Sequence, residues 1–255
     1  MARATVEGGG RGPAIRAVDP WASSTGKMHQ LLSDEERAQL ATIASIVRFK
    51  KGAEIYRHGH RANVIFNIVS GVVKAHKTDR DGREHITAFL FPDDLLGLSE
   101  EGRYTNSATA ITPMTAFQIP VSALRGRLSK DASLEFHVIC KLCQELRQAQ
   151  RHAFLLAQRQ ALSRVAMFLQ LLEQLQASRG ESTTEIYLPM SRSDIGEYIA
   201  MSLEAVSRAF RSLTARRIIK SRDRRHVKII DRSAFEDLVD EMAHLRPRNR
   251  PAGDK

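Results

Sequence analysis

Glu204, Ser207, Arg208 and Arg211 recur along a stretch whose intervening residues are largely apolar. Counted from Glu204 they are i, i+3, i+4 and i+7, which is one face of a helix. Leu203, Val206, Phe210 and Leu213 fall on the opposite face and are expected to be buried. An acid, a hydroxyl and two guanidinium groups on one exposed stripe suit the reading of base edges. Arginine donates two hydrogen bonds to O6 and N7 of guanine, and a carboxylate accepts from the N4 amine of cytosine. An amphipathic helix with a merely solvated charged face would show the same stripe, so the surroundings must decide.

Those surroundings read as two short helices joined by a tight turn. Ser191 is a good N-cap and Asp194, three residues on, completes a capping pattern. Ile195, Tyr198 and Ile199 give the first helix an apolar face, and Gly196 allows another backbone to come close. The turn falls at Ala200-Met201, and Ser202 caps the second helix. Beyond Leu213, Ile218 to Ser221 and Val227 to Ile230 read as a hairpin whose tip is Arg222-Asp223-Arg224-Arg225-His226. Residues 203–232 hold ten Lys/Arg and three Asp/Glu, a local +7 against +10 for the whole chain. The excess charge sits where a phosphate backbone would lie. Glu204, Ser207 and Arg208 are therefore the candidate base readers. Arg192, Ser202, Arg211, Arg216, Lys220, Arg224 and Arg225 are the candidate phosphate contacts.

The bulk composition agrees. The chain has 255 residues with 42% hydrophobic content, enough for one or two packed domains. A strongly basic balance points to an acidic polymer, although an anionic membrane surface would fit charge alone. No run of 18 apolar residues is present, and no cleavable apolar core follows the N-terminal basic residues, so no membrane partner and a cytoplasmic location are expected. No phosphate-binding glycine loop, His/Glu metal pair or serine elbow appears, so the chain is not expected to be an enzyme or to need a cofactor or metal. The two cysteines, Cys140 and Cys143, are too few for a disulfide framework or a four-thiolate cluster and read as plain, partly buried thiols.

In chain order, residues 1–27 read as a disordered tail. Residues 28–130 form a first domain, opening with a short helix from Ser33 through Leu40 and Ile43. From Val47 to about Pro120 it consists of short strands, in which Val64, Phe66 and Ile68 alternate, as do Ile86, Ala88 and Leu90. Gly52, Gly59, Gly71, Gly82 and Gly97 punctuate them, and Asp81-Gly82 signals a hairpin. Residues 131–157 read as a long helix. Its Ile139, Leu142, Leu146, Ala149, Ala153 and Leu156 follow steps of three and four, an a/d seam of nearly three heptads. A core helix would carry the same stripe, but its place between two domains favours a homodimer seam. Residues 158–245 hold the helix pair. A helix from Arg159 to Ser178 precedes it, with Leu162, Val165, Met167, Phe168, Leu171, Leu172 and Leu175 on its apolar face. A short strand over 186–189 follows, and a last helix capped by Asp231 directs Phe235, Leu238 and Met242 inward. Residues 246–255 read as a flexible tail.

The run LPMSRSDIGEYIAMSLEAVSRAF resembles the winged helix-turn-helix of the Crp/Fnr superfamily of bacterial transcription regulators. Glu204, Ser207 and Arg208, as Glu-x-x-Ser-Arg, resemble its Fnr and FixK branch. Lys51-Gly52, Gly59, Ser70-Gly71, Asp81-Gly82-Arg83 and Phe91 to Gly97 resemble the superfamily's cyclic-nucleotide-binding-type roll. The resemblance implies an α+β architecture: an N-terminal antiparallel β-roll of sensor or effector type, a long dimerisation helix and a C-terminal winged helix-turn-helix. It further implies a homodimer on double-stranded DNA with a TTGAT/ATCAA-type palindrome, RNA polymerase as a partner, and low-oxygen gene control, most naturally as an activator. The Asp79–Arg83 hairpin is the candidate polymerase contact.

Two departures refine this. Members that bind cyclic AMP carry a Gly-Glu-Leu segment and, about ten residues later, an arginine for the cyclic phosphate. Here the segment is Gly97-Leu98-Ser99-Glu100, Asn106 stands where the arginine would be, and Arg103 comes too early. A buried phosphate without its cation is costly. There is also no cysteine before Cys140, which separates the chain from cluster-bearing Fnr proteins and leaves a FixK-like reading. His76, near a strand end, reads as a surface histidine rather than a haem ligand. The rival readings are an effector-gated regulator of the same fold, binding haem, a nucleotide or another small molecule, and a cyclic-nucleotide-binding module whose basic C-terminus meets an acidic protein or membrane.

Overall fold

The computed structural model describes residue 40, residues 42–99 and residues 101–240. The tails expected at 1–27 and 246–255, most of the helix opening at Ser33, and Met242 lie outside the described residues.

Eight strands build a two-sheet roll: β1 (Ser45–Phe49), β2 (Glu54–Tyr56), β3 (Val64–Ser70), β4 (Val73–Thr78), β5 (Glu84–Leu90), β6 (Leu95–Leu96), β7 (Ser107–Ala110) and β8 (Met114–Pro120). The sheet orders are β1-β8-β3-β6 and β2-β7-β4-β5, with antiparallel pairings throughout. Their inner faces meet over Tyr56, Phe66, Ile68, Val73, Leu96, Tyr104 and Met114. Gly71 sits between β3 and β4 at φ +91, where a side chain would run into Pro113 and Met114, so the tight connection requires glycine.

The alternation read from the sequence holds only in part. On β3, Phe66 and Ile68 face the roll interior, but Ile65 is equally buried on the other face, against Ile119 and Leu124. That outer face is covered by α1 (Val121–Leu128), a short helix between the last strand and the long helix for which the sequence pattern carries no separate signal. On β5 a bulge opposite Ala75 and His76 shifts the phase. Ile86 is buried, and after the shift Phe89 and then Phe91 take over in place of Ala88 and Leu90.

α2 (Ala132–Leu156) follows, capped by Asp131, whose carboxylate accepts from the Leu134 amide at 3.0 Å. α3 (Ala161–Ser178) starts two residues later than expected, and its core face is Val165, Ala166, Phe168, Leu169 and Leu172. Next come β9 (Ile186–Tyr187), α4 (Arg192–Ile199), α5 (Leu203–Ala215), β10 (Ile219–Ser221), β11 (His226–Ile229) and α6 (Arg232–Asp240). β10-β11-β9 form a small antiparallel sheet. One continuous core joins this unit to the outer face of β5: Phe89 and Phe91 share a cluster with Phe168, Leu172, Tyr198, Phe210 and Phe235.

Candidate nucleic-acid interface

The helix pair forms as its caps dictate. Ser191 Oγ accepts from the Asp194 amide at 3.0 Å, and Asp194 Oδ2 accepts from the Ser191 amide at 3.0 Å, closing a capping box. Ile195, Tyr198 and Ile199 are buried. Ala200 closes α4 in the left-handed region at φ 53, and Met201 turns back so tightly that a Cβ on Gly196 would lie 2.5 Å from the Met201 carbonyl oxygen. Ser202 then caps α5 by accepting from the Ala205 amide at 3.2 Å.

Val206, Ala209, Phe210 and Leu213 bury one side of α5. Leu203 does not join them. It is 46% exposed, because the first residue of the helix lies beyond the edge of the core that α3 and α4 provide. Glu204, Arg208 and Arg211 are exposed, whereas Ser207 is half-buried, so three of the four stripe residues face solvent and Ser207 lies toward the cleft described below. The Glu204 carboxyl is held below its ordinary range by its own amide, by the Ser202 hydroxyl and by Arg208.

The hairpin between β10 and β11 is organised by Asp223, the one acid of its basic tip. Asp223 Oδ1 accepts from the Arg225 amide at 2.6 Å and from the His226 amide at 2.9 Å, and Oδ2 lies 2.9 Å from His226 Nδ1. The Arg225 amide and the His226 ring lower its carboxyl to about 2. An aspartate two residues before an arginine in a tight basic loop is the available signal, because a short carboxylate folds back on its own backbone. Arg225 Nη1 donates to the Tyr187 hydroxyl at 3.2 Å, and Arg222 pairs with Glu185 at 2.7 Å. Arg224 is exposed at the tip, as are Arg216 and Lys220 nearby.

Arg192 is placed differently from the other candidate phosphate contacts. Its guanidinium lies 3.3 Å from the centroid of the Phe210 ring, and burial lowers it to about 10. It lines a cleft of about 780 Å3 between the roll and the helix pair, together with Lys51, Lys74, Ser207, Arg224 and Arg225. In that cleft Lys74 Nζ lies 3.1 Å from Asp194 Oδ1 and 2.9 Å from Glu84 Oε2. Burial works against the Lys74 ammonium, but Glu84 and Asp194 hold its pKa above the ordinary lysine value.

All six expected seam residues, Ile139, Leu142, Leu146, Ala149, Ala153 and Leu156, are exposed along α2, so they are not core residues of their own chain. Cys140 is partly buried, whereas Cys143 is exposed, since its position on α2 points away from the roll. His76 is not a surface residue. Its ring is mostly buried, with Nε2 3.0 Å from Thr109 Oγ1 and Nδ1 2.8 Å from Glu84 Oε1. Within the roll, Tyr56 and Tyr104 stack at 3.9 Å, and Asn106 accepts from the Tyr56 hydroxyl at 3.2 Å. Arg103 Nη1 donates outward to the Gly59 carbonyl. Tyr56, Phe66 and Tyr104 thus pack together in the core between the two sheets. Among the described residues no group of three or more His, Cys, Asp or Glu could hold a metal ion, and no helix is long and apolar enough to cross a membrane.

Comparison with known proteins places these features. Residues 46–131 match the cyclic nucleotide-binding domain family, and residues 163–238 match the Crp-like helix-turn-helix domain family. The nitrogen fixation regulation protein FixK of Azorhizobium caulinodans is 32% identical over 200 residues, covering 78% of this chain and 81% of that one. FixK of Bradyrhizobium diazoefficiens is 35% identical over 184 residues, covering 71% and 77%. The solved structure of FixK2 from Bradyrhizobium japonicum superimposes with a TM-score of 0.71 at 30% identity, covering 77% of this chain and 97% of that one. The chain belongs to the Crp/Fnr family of transcription regulators, and within it to the FixK-like branch that binds DNA through a helix-turn-helix.

Proposed function

We propose that the chain works as a homodimeric activator of low-oxygen gene control, binding a TTGAT/ATCAA-type palindrome without a small-molecule effector. The observation that carries this is the exposure of Glu204 and Arg208, with Ser207 half-buried beside them, on the first half of α5, held by two capped helices. Two copies of α5 enter successive major grooves on one side of the duplex, about 34 Å apart. Glu204, Ser207 and Arg208 read base edges. Ser202, Arg211, Arg216, Lys220, Arg224 and Arg225 sit on phosphates, and Arg192 braces Phe210 behind the reading helix while facing the same cleft. The dimer forms along the exposed apolar face of α2, which buries Ile139, Leu142 and Leu146 against their counterparts. The Asp79–Arg83 turn projects from the roll, with Asp79 fixed by the Asp81 and Arg83 amides, and serves as the contact to RNA polymerase. The low-oxygen role is supported by the likeness to the anaerobic regulatory protein of Haemophilus influenzae, and effector independence by the packing of Tyr56, Phe66 and Tyr104 inside the roll.

The test is fluorescence anisotropy in air, with no added ligand and near physiological salt, on one duplex carrying the palindrome and one with a scrambled copy. Tight binding to the palindrome alone is expected. Equal weak binding to both would overturn the effector-independent reading.

A further inference from the structure

The roll and the helix-turn-helix touch through two kinds of contact. One is apolar: the Phe89 ring on β5 lies 5.1 Å from the Tyr198 ring and 6.2 Å from the Phe168 ring. Ring contacts of this kind persist when one surface slides over another. The other is ionic and directional. Lys74 Nζ on β4 lies 2.9 Å from Glu84 Oε2 in its own sheet and 3.1 Å from Asp194 Oδ1 on α4. The side chains of Lys74 and Asp194 are 15% and 19% exposed, so water competes weakly for them.

Asp194 divides its work between its two oxygens. Oδ2 closes the capping box with Ser191, at 3.0 Å from the amide and 2.6 Å from the hydroxyl, while Oδ1 faces Lys74. Glu84 Oε1 in turn lies 2.8 Å from His76 Nδ1. The ammonium is thus fixed between a carboxylate of the sheet and a carboxylate of the DNA-binding unit. Removing it would take away the ionic tie between α4 and the roll without removing the cap of α4.

We propose that Lys74 is a positioning residue: it sets the angle of the helix-turn-helix on the roll and so the half-site spacing that the dimer accepts. This rests on the homodimer reading above. In a two-fold dimer joined through α2, the distance between the two α5 helices depends on how each DNA-binding unit is held against its own roll. A shift of one base pair between half-sites moves them by about 3.4 Å and turns them by about 35°. Without the ion pair the unit keeps its ring contacts and the bond from His152 of α2 to the Tyr198 carbonyl, which leave its angle on the roll free to follow such a change. A unit pinned by a buried ion pair does not follow it.

The experiment measures anisotropy of the full-length protein on duplexes whose half-sites stand at the preferred spacing, or one or two base pairs nearer or further, with a single half-site duplex as control. Wild type is expected to favour one spacing by about tenfold or more. Lys74→Gln should keep its single half-site affinity while that preference falls below about threefold. Lys74→Arg, which can span both carboxylates, should restore it. Glu84→Gln, which loosens the roll end of the tie, should give an intermediate preference and supplies the test if Lys74→Gln does not fold. An unchanged preference in Lys74→Gln and Glu84→Gln overturns the proposal. So does an equal loss at every spacing, which would make Lys74 a phosphate contact. If wild type shows no preference for paired over single half-sites, the homodimer reading itself fails, and the proposal with it.

Discussion

The His152 ring lies flat on the Tyr198 ring, with centroids 3.9 Å apart and planes 3° from parallel, and its Nε2 donates to the Tyr198 carbonyl at 2.7 Å. A single stack therefore joins the C-terminal part of α2 to the end of α4. Tyr198 also packs near Phe89 of the roll and Phe168 of α3, so four elements meet at this ring. Burial lowers the His152 pKa below the ordinary 6.5, with the bond to the Tyr198 carbonyl opposing it in part.

This gives a pH dependence with a definite sign. An unfolded chain protonates His152 near pH 6.5, whereas the folded one resists until lower pH. Stability from this group is complete above pH 6.5 and declines as the pH falls from there toward the depressed value. His152→Phe keeps the stack but cannot titrate. It should lose about 1 kcal/mol at pH 8, from the missing hydrogen bond. Its Tm should then fall less than that of wild type between pH 7 and pH 5.5. Parallel profiles for the two proteins would contradict this.

Glu145 has the opposite sign. Burial raises its carboxyl from 4.5 to about 7, against the pull of Lys141 and with Asp94 adding to the rise. Oε1 is buried with no hydrogen-bond partner, beside the Lys141–Asp94 ion pair of 2.8 Å. The folded state holds this proton longer than the unfolded state, so stability from Glu145 is full below pH 4.5 and falls as the pH rises through about 7. Glu145→Gln should be more stable than wild type at pH 8 by on the order of 2 kcal/mol, with little gain at pH 5. Denaturant titration at the two pH values measures the difference.

Arg208 is exposed in the reading stripe of α5. Arg208→Ala should lose roughly 1–3 kcal/mol of discrimination at one G·C pair of each half-site, with the other positions unaffected. Binding to a panel of single-base variants of the palindrome locates the pair. Full discrimination by the variant would remove Arg208 from the readers.

Arg224 and Arg225 sit on a loop braced by Asp223, and Arg225 leans on Tyr187. Replacing both with alanine should weaken every sequence alike. The dependence of log K on log salt should become shallower by about 1.8 per loop, or 0.9 for each lost phosphate contact. Loss confined to the palindrome would show that the loop reads bases.

Leu146 lies at the centre of the α2 stripe and is 60% exposed in the single chain. Leu146→Asp should therefore leave the fold intact and halve the mass seen by light scattering, because a carboxylate cannot be buried in the seam unpaired. An unchanged mass would place the contact elsewhere.

Sequence alone determined what local physics controls. The caps at Ser191, Ser202 and Asp231, the turn at Ala200, the Asp81-Gly82 hairpin and the exposure of Glu204 and Arg208 depend on neighbours within a few residues, and all appear where periodicity and side-chain chemistry put them. Tertiary structure decided what depends on a distant partner. Leu203 has the spacing of a core residue, but no element reaches the start of α5 to cover it. The bulge on β5 opposite Ala75 and His76 moved burial to Phe89, which packs against Phe168 and Tyr198 of the DNA-binding unit. Lys74 and Asp194 stand 120 residues apart, and a single chain gives no sign that they meet. Capping and periodicity are properties of a segment, whereas the docking of one domain on another is a property of two surfaces, and no local pattern in either segment records it.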